Sequence, residues 1–401
     1  MVVYRASWIL PISSPPIGDG WVAVEDGIVA GVGTGTKAGV VDLGSAAILP
    51  ALVNAHTHLE LSYLAGAIQP TDRFLDWIRA VMAARRRYPD PRDPVILSSA
   101  RTTIAAARAA GTGLMGDISN TLVAVPLLRE AGMAARVFYE LLGFNTDDPA
   151  GRVRAARAAI DAEGESGADV RLSLAPHAPY SVSPGLFTAI RDDLDAHPAD
   201  VSTVHLAESP DEVEFIARGT GGWRDLLAEL GVWSTAWRPA GASPVAYLSA
   251  LGFLDARVLA VHAVQCSPDD LARLGTLGTT VVSCPRSNRY VGVGDPPLDA
   301  LYAWSVSVAF GTDSLASVVD LNMFAELAAA RRLAPRVPAG RLLESATLRG
   351  ASALGFGGQY GSIEAGKRAS LIAVRVPADV ADVEEYLLSG IEPAAVTWLD
   401  T

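Results

Sequence analysis

Cysteine, long apolar runs and positive charge are all scarce in this sequence of 401 residues. Each scarcity closes off a class of protein. Cysteine occurs twice, as Cys266 and Cys284, too few for a disulfide framework and in keeping with a reducing compartment. Cys284 lies inside an apolar run, where a buried structural thiol is the expectation. No apolar stretch approaches the roughly 20 residues that a membrane-spanning helix needs. The N-terminal stretch MVVYRASWILPISSPP has neither the basic start nor the long apolar core of a secretory signal. Lys and Arg number 32 against 44 Asp and Glu, a net charge of −12, which argues against nucleic acid or an anionic membrane as partner. A small-molecule ligand and a cytoplasmic location are therefore expected, with homo-oligomerisation left open.

What the chain does have is apolar bulk, since half of its residues are hydrophobic and 19% are charged. That is enough to bury a large core with a small second domain. Residues 1–49 read as short antiparallel strands with glycine-rich turns, as in GWVAVEDGIVAGVGTG, and GSIEAGKRASLIAV near the C-terminus has the same character. Between them, strand-like and helix-like segments alternate. Eight apolar runs, around ILPALVN, TGLMGD, ARVFYEL, VRLSLAP, STVHLAE, VLAVHAV, TVVSCPR and VSVAFGTD, read as strands, and alanine-rich stretches such as 96–111 and 151–167 read as helices between them. The expected fold is α/β: a (β/α)8 TIM barrel over 50–360, with a small β-sandwich-like domain formed by 1–49 and 361–401. A doubly wound sheet is the rival, but no Gly-x-Gly-x-x-Gly follows the first strand of this region.

Five of the six histidines sit in motifs that close these runs. They are His56 and His58 in NAHTHLE, His177 in PHAPY, His205 in VHLAE and His262 in VHAV; Asp313 follows in FGTDS. In a barrel the ends of the strands gather at one face. His56 and His58, two apart on a strand end, point the same way. Such a pair is a weak signal alone, but with His205 and Asp313 it completes a ligand set for one divalent metal ion, zinc or ferrous iron, with a position left for water. Asp313 is then both ligand and base. His197, in the polar stretch DAHPAD, reads as surface.

The order of these motifs, with CPRSN between the lone His262 and GTDS, resembles the amidohydrolase superfamily, in its deaminase and chlorohydrolase branch. The likeness runs nearly the whole chain and includes GSIEAGKRASL, in which Ser370 stands where the branch usually has Asp. NAHTHLELS, EFIARGTGGW and CPRSNRY resemble more closely the subgroup that deaminates aminodeoxyfutalosine on the way to menaquinone. Dinuclear members of the superfamily typically bridge their metals with a carboxylated lysine at the end of strand four; this chain has only Lys37 and Lys367, both outside the barrel segment, so the resemblance implies a mononuclear site. It also implies that Glu208 protonates the ring nitrogen beside the attacked carbon, that His262 orients water and stabilises developing charge, and that His177 contacts substrate. Cytidine deaminases bind zinc through Pro-Cys-x-x-Cys, which is absent here.

An adenine nucleoside with a benzoate tail needs apolar walls and a cation. Arg286 and Arg289, beside Asn288, are candidates for holding the carboxylate, with a structural ion pair or solvent exposure as the equal alternative. Glu60 and Ser62 are candidate contacts to substrate hydroxyls or supports for His58. Phe74 and Trp77, three apart, suit an ordinary packing helix better than a cavity wall or lid, and the resemblance implies that Trp223 belongs to a lid near strand five. Rival readings are a deaminase of adenosine, methylthioadenosine or S-adenosylhomocysteine, a triazine chlorohydrolase, and an inactive hydantoinase-like scaffold.

Overall fold

The computed structural model describes residues 1–164 and 169–400; the last residues of the 151–167 stretch lie outside it. Among the described residues, fifteen strands fall into three sheets. The terminal segments supply β1 (Val2–Ile9), β2 (Ile17–Glu25), β3 (Ile28–Gly33), β4 (Val40–Asp42) and β5 (Ala46–Pro50). The central region supplies β6 (Leu52–Thr57), β7 (Thr112–Ser119), β8 (Ala134–Leu141), β9 (Val170–Pro176), β10 (Ser202–Leu206), β11 (Val258–His262), β12 (Thr280–Ser283) and β13 (Ser307–Phe310). The chain closes with β14 (Leu371–Arg375) and β15 (Val396–Trp398).

All eight runs read as strands form β6 to β13. They make two four-stranded sheets, β6-β7-β8-β9 and β10-β11-β12-β13, parallel throughout. Nearly every residue of these strands is buried, the signature of parallel strands covered on both faces, which therefore read as continuous apolar runs. β9 packs beside β10, and β13 beside β6. The fold is α/β and TIM-barrel-like. The N- and C-terminal strands share a seven-stranded mixed sheet in the order β15-β14-β5-β1-β2-β3, with β4 against β1.

The helices between strands begin on one recurring chemical device. Asp93, Asp148, Ser183, Ser209, Ser243 and Ser267 each accept a backbone N–H from the helix they precede, and each is followed by proline. The side-chain oxygen satisfies an otherwise orphaned amide, and proline at the first helical position has no N–H to lose. These caps fix where each of these helices begins. Among the described residues, no helix is long and apolar enough to cross a membrane.

Candidate active site

Parallel pairing carries the chemistry-bearing side chains to one edge. β6 brings His56 and, just after it, His58; β10 brings His205; β11 ends on His262; Asp313 comes three residues after β13. Ligand atoms of His56, His58 and His205 all lie within 4.8 Å of one another. Asp313 Oδ1 is 3.8 Å from His56 Nε2 and 3.5 Å from His58 Nε2.

The donor set fits a divalent metal on its own chemistry. His56 is fully buried, yet neither ring nitrogen has a protein hydrogen-bond partner, a costly state for a polar group unless something else takes its lone pair. Burial pushes the pKa values of His56 and His58 well below the usual histidine range, with His205 adding to the effect, so both rings are neutral and able to ligate. Asp313 Oδ2 accepts from the hydroxyls of Ser287 and Ser317 at 2.6 and 3.0 Å, and Oδ1 accepts the N–H of Ser314 at 2.7 Å. Three imidazole nitrogens and one anchored carboxylate suit zinc or ferrous iron. Glu140, His177 and His205 form a second group within 4.8 Å. In this group Glu140 Oε2 accepts from Asn120 at 2.8 Å, and His177 Nδ1 lies 2.6 Å from Ser181 Oγ.

Beside the His and Asp cluster lies a buried acid. Glu208 Oε1 is 3.5 Å from His262 Nε2. Burial raises the Glu208 pKa well above the usual carboxylate range, and the neighbouring Asp313 and Glu212 push the same way, which favours the protonated form of the group. His262 Nδ1 lies 3.0 Å from Asn288 Nδ2, and burial lowers the His262 pKa to about 3. The backbone here is unusual. Ala207, His262, Ala263 and Asp313 all have positive φ, at 50°, 74°, 48° and 63°, conformations that persist only when the surroundings enforce them. For Ala207 the enforcement comes from Glu212, whose two carboxylate oxygens accept the N–H groups of Ala207 and Glu208 at 2.9 Å each. At Gly311 a Cβ would lie 2.7 Å from His56 Cβ and 2.8 Å from His56 N; only glycine lets β13 come this close.

The cluster forms the floor of a cavity of about 880 Å³, reached by His58, His177, His205, Glu208, His262 and Asp313. Its walls are largely apolar and aromatic, including Phe144, Tyr180, Trp223 and Leu226. Trp223 stacks on Tyr180 with ring centroids 3.7 Å apart. Phe74 and Trp77 also line the cavity, stacked at 5.9 Å, so the helix-packing reading of that pair covers only part of its role.

Other expectations are corrected. Arg286 and Arg289 do not line the cavity. β12 runs directly into a helix, Pro285–Tyr290, that directs Arg286 to the fully buried Glu326 (Nε to Oε1 2.5 Å) and to Asp320 (Nη1 to Oδ1 2.8 Å). Arg289 pairs with Asp295 at the surface. Glu60 does not line this cavity but a smaller one beside it, where Ser119, Asn120, Thr121 and Arg85 all donate to its carboxylate. Ser62 is buried in the 3-10 turn Leu59–Leu64 and does not reach the cavity. The cations on the wall are Arg85 and Arg152, and the polar residues Glu140 and Asn120 join them. Glu140 and Asn120 carried a readable signal, a polar residue where an apolar strand run ends. The arginines lie on helices and carried none.

With this geometry in place, comparison with known proteins is informative. The amidohydrolase family model matches residues 47–393. A 5-methylthioadenosine/S-adenosylhomocysteine deaminase of Moorella thermoacetica is 32% identical over 389 residues, covering 93% of this chain and 85% of that one. An aminodeoxyfutalosine deaminase of Deinococcus radiodurans is 32% identical over 318 residues, covering 77% and 74%. Among solved structures, an adenosine deaminase from Xanthomonas campestris with bound zinc superposes with a TM-score of 0.84 at 28% identity, covering 99% of this chain and 90% of that one. Helicobacter pylori aminofutalosine deaminase, at 23% identity, shares the fold with a TM-score of 0.85 over 99% of this chain and 97% of its own.

Proposed function

The chain belongs to the amidohydrolase family, and from that premise we propose that it hydrolytically deaminates the adenine ring of a 5′-substituted nucleoside, with 6-amino-6-deoxyfutalosine as its substrate and menaquinone synthesis as its setting. We read the two parallel sheets as one (β/α)8 barrel over 50–360. The adjacency of β9 with β10 and of β13 with β6 supports this. The mixed sheet is read as the small domain built from 1–49 and 361–401.

The observation that carries the activity is the pairing of the buried Glu208, whose pKa is raised by burial, with the three-histidine, one-aspartate cluster on the floor of a single aromatic-walled cavity. His56, His58, His205 and Asp313 would hold one divalent ion, which supplies an acidified water at neutral pH. Glu208 gives its proton to the ring nitrogen next to the amine-bearing carbon, making that carbon electrophilic. Asp313 accepts a proton from the attacking water while Ser287 and Ser317 hold its other oxygen. His262, fixed through Asn288, donates to the oxygen added at that carbon. Asp313 then passes its proton to the amine, the C–N bond breaks to release ammonia, and the proton of the added hydroxyl returns to Glu208 as the ring carbonyl forms. The apolar walls exclude competing water and stack on the base.

The assay is ammonia release by metal-loaded protein offered aminodeoxyfutalosine, adenosine, 5′-methylthioadenosine and S-adenosylhomocysteine side by side. A preference for the first supports the reading. Preference for methylthioadenosine or S-adenosylhomocysteine, the second reading carried by the Moorella relative, keeps the chemistry and discards the substrate.

A further inference from the structure

Next to the catalytic cavity is a smaller one of about 330 Å³, and the two share Leu61 and Arg85. We propose that this side cavity is a binding site for a planar aromatic carboxylate, the far end of the substrate; the proposal rests on the deaminase reading above. Three features point to that chemistry. Tyr63 and Tyr88 line the cavity in edge-to-face contact, ring centroids 5.1 Å apart, an arrangement that offers ring surface to a third aromatic group. Leu61 and Ile96 give it an apolar floor, which a phosphate or a hydrated sugar would not use. Positive charge stands at its rim: Arg85 is held by Asn120 and by Glu60, a carboxylate that also lines the cavity and is neutralised by this pair, whereas Arg86, Arg87 and Arg92 make no ion pair among the described residues. Arg86 faces the cavity.

Such a run of unpaired arginines stands out in a chain of net charge −12. An apolar slot with a cation at its edge holds an aromatic acid by stacking its ring and pairing its carboxylate. Its volume is at the lower end of small-molecule pockets, roughly 300–1,000 Å³, enough for one end of a ligand. Arg152, on the wall of the larger cavity, is the competing cation and serves as the control.

The test is calorimetric titration of the metal-loaded protein with 3-acetylbenzoate, an isolated aromatic acid. Binding is expected, weakened roughly 10- to 100-fold, the worth of one charge-assisted hydrogen bond, by Arg86→Ala. Tyr88→Leu gives a second, independent loss, and cyclohexanecarboxylate binds more weakly than the aromatic acid. The ratio of kcat/KM for aminodeoxyfutalosine over 5′-methylthioadenosine falls in the same two variants. Absence of binding to the unaltered protein, equal binding in all variants, or a loss that follows Arg152→Ala alone overturns the site. If the acid binds and the variants lose it while aminodeoxyfutalosine is not turned over, the site stands and the proposed substrate falls.

Discussion

The carbonyl oxygen of His177 receives two bonds from a single residue: the backbone N–H of His205 at 2.9 Å and its ring Nδ1 at 3.0 Å. A carbonyl only accepts, so Nδ1 of His205 carries the ring proton and Nε2 keeps its lone pair. The junction between β9 and β10 thereby sets the tautomer of a proposed metal ligand through main-chain geometry.

The carboxylate of the cluster is anchored in the same manner, by side chains. Ser287→Ala removes the 2.6 Å bond to Asp313 Oδ2 and should lower metal affinity or turnover by roughly 10–100-fold, the usual cost of losing such a support. Metal content after dialysis, together with kcat, checks it; unchanged values for both would show that Ser317 suffices.

Glu208→Gln keeps the shape of the side chain and removes the transferable proton. Turnover should fall by roughly 10²–10⁴-fold with bound metal unaltered, measured by ammonia release and elemental analysis on the same preparation. A variant with near-normal kcat would remove Glu208 from the proposed role.

Gly311→Ala inserts a methyl group within 3 Å of the His56 backbone. Because the obstacle is main chain and cannot swing aside, His56 must move. The expected result is loss of metal and activity from a protein whose circular dichroism remains that of a folded chain.

Arg286 is expected to act on stability. Its removal strands the carboxylate of Glu326, which is fully buried, and breaking such a pair costs roughly 3–5 kcal/mol. Arg286→Ala should therefore lower the denaturant midpoint strongly. A normal midpoint with a raised KM would return this arginine to the substrate.

Glu212 links stability to pH. Burial raises its pKa from 4.5 to about 7, so between these values the folded chain holds a proton that the unfolded chain has released. The contribution is fully present below pH 4.5 and is lost as pH rises toward 7. Glu212→Gln, which cannot titrate, should flatten this part of the stability profile; a slope equal to that of the unaltered protein would mean that Glu212 is ionised throughout.

Much of the fold was legible from local pattern. Strands buried on both faces need unbroken apolar runs, and all eight were visible as such. The ends of those runs marked His56, His58, His205, His262 and Asp313 because a polar group has little reason to close an apolar strand except to face something at its end. The six Asp-Pro and Ser-Pro helix starts were equally local, and an eye for capping could have placed them.

Pairings between distant segments were another matter. Arg286 and Arg289 stood beside a strand end and looked like substrate ligands, but where a long side chain points depends on the charges near it in space, and Glu326 is forty residues away in sequence. Glu60 was spent on Ser119, Asn120 and Thr121 for the same reason. The cavity's own cations, Arg85 and Arg152, sit on helices whose sequence spacing says only which face is polar. By itself the sequence determined the strand order, the parallel sheets and the residue types at their ends, all consequences of short-range periodicity and burial. Only the tertiary structure decided which charges are neutralised and which face the cavity, since Coulombic and hydrogen-bond partners are chosen by distance in space, which chain position does not encode.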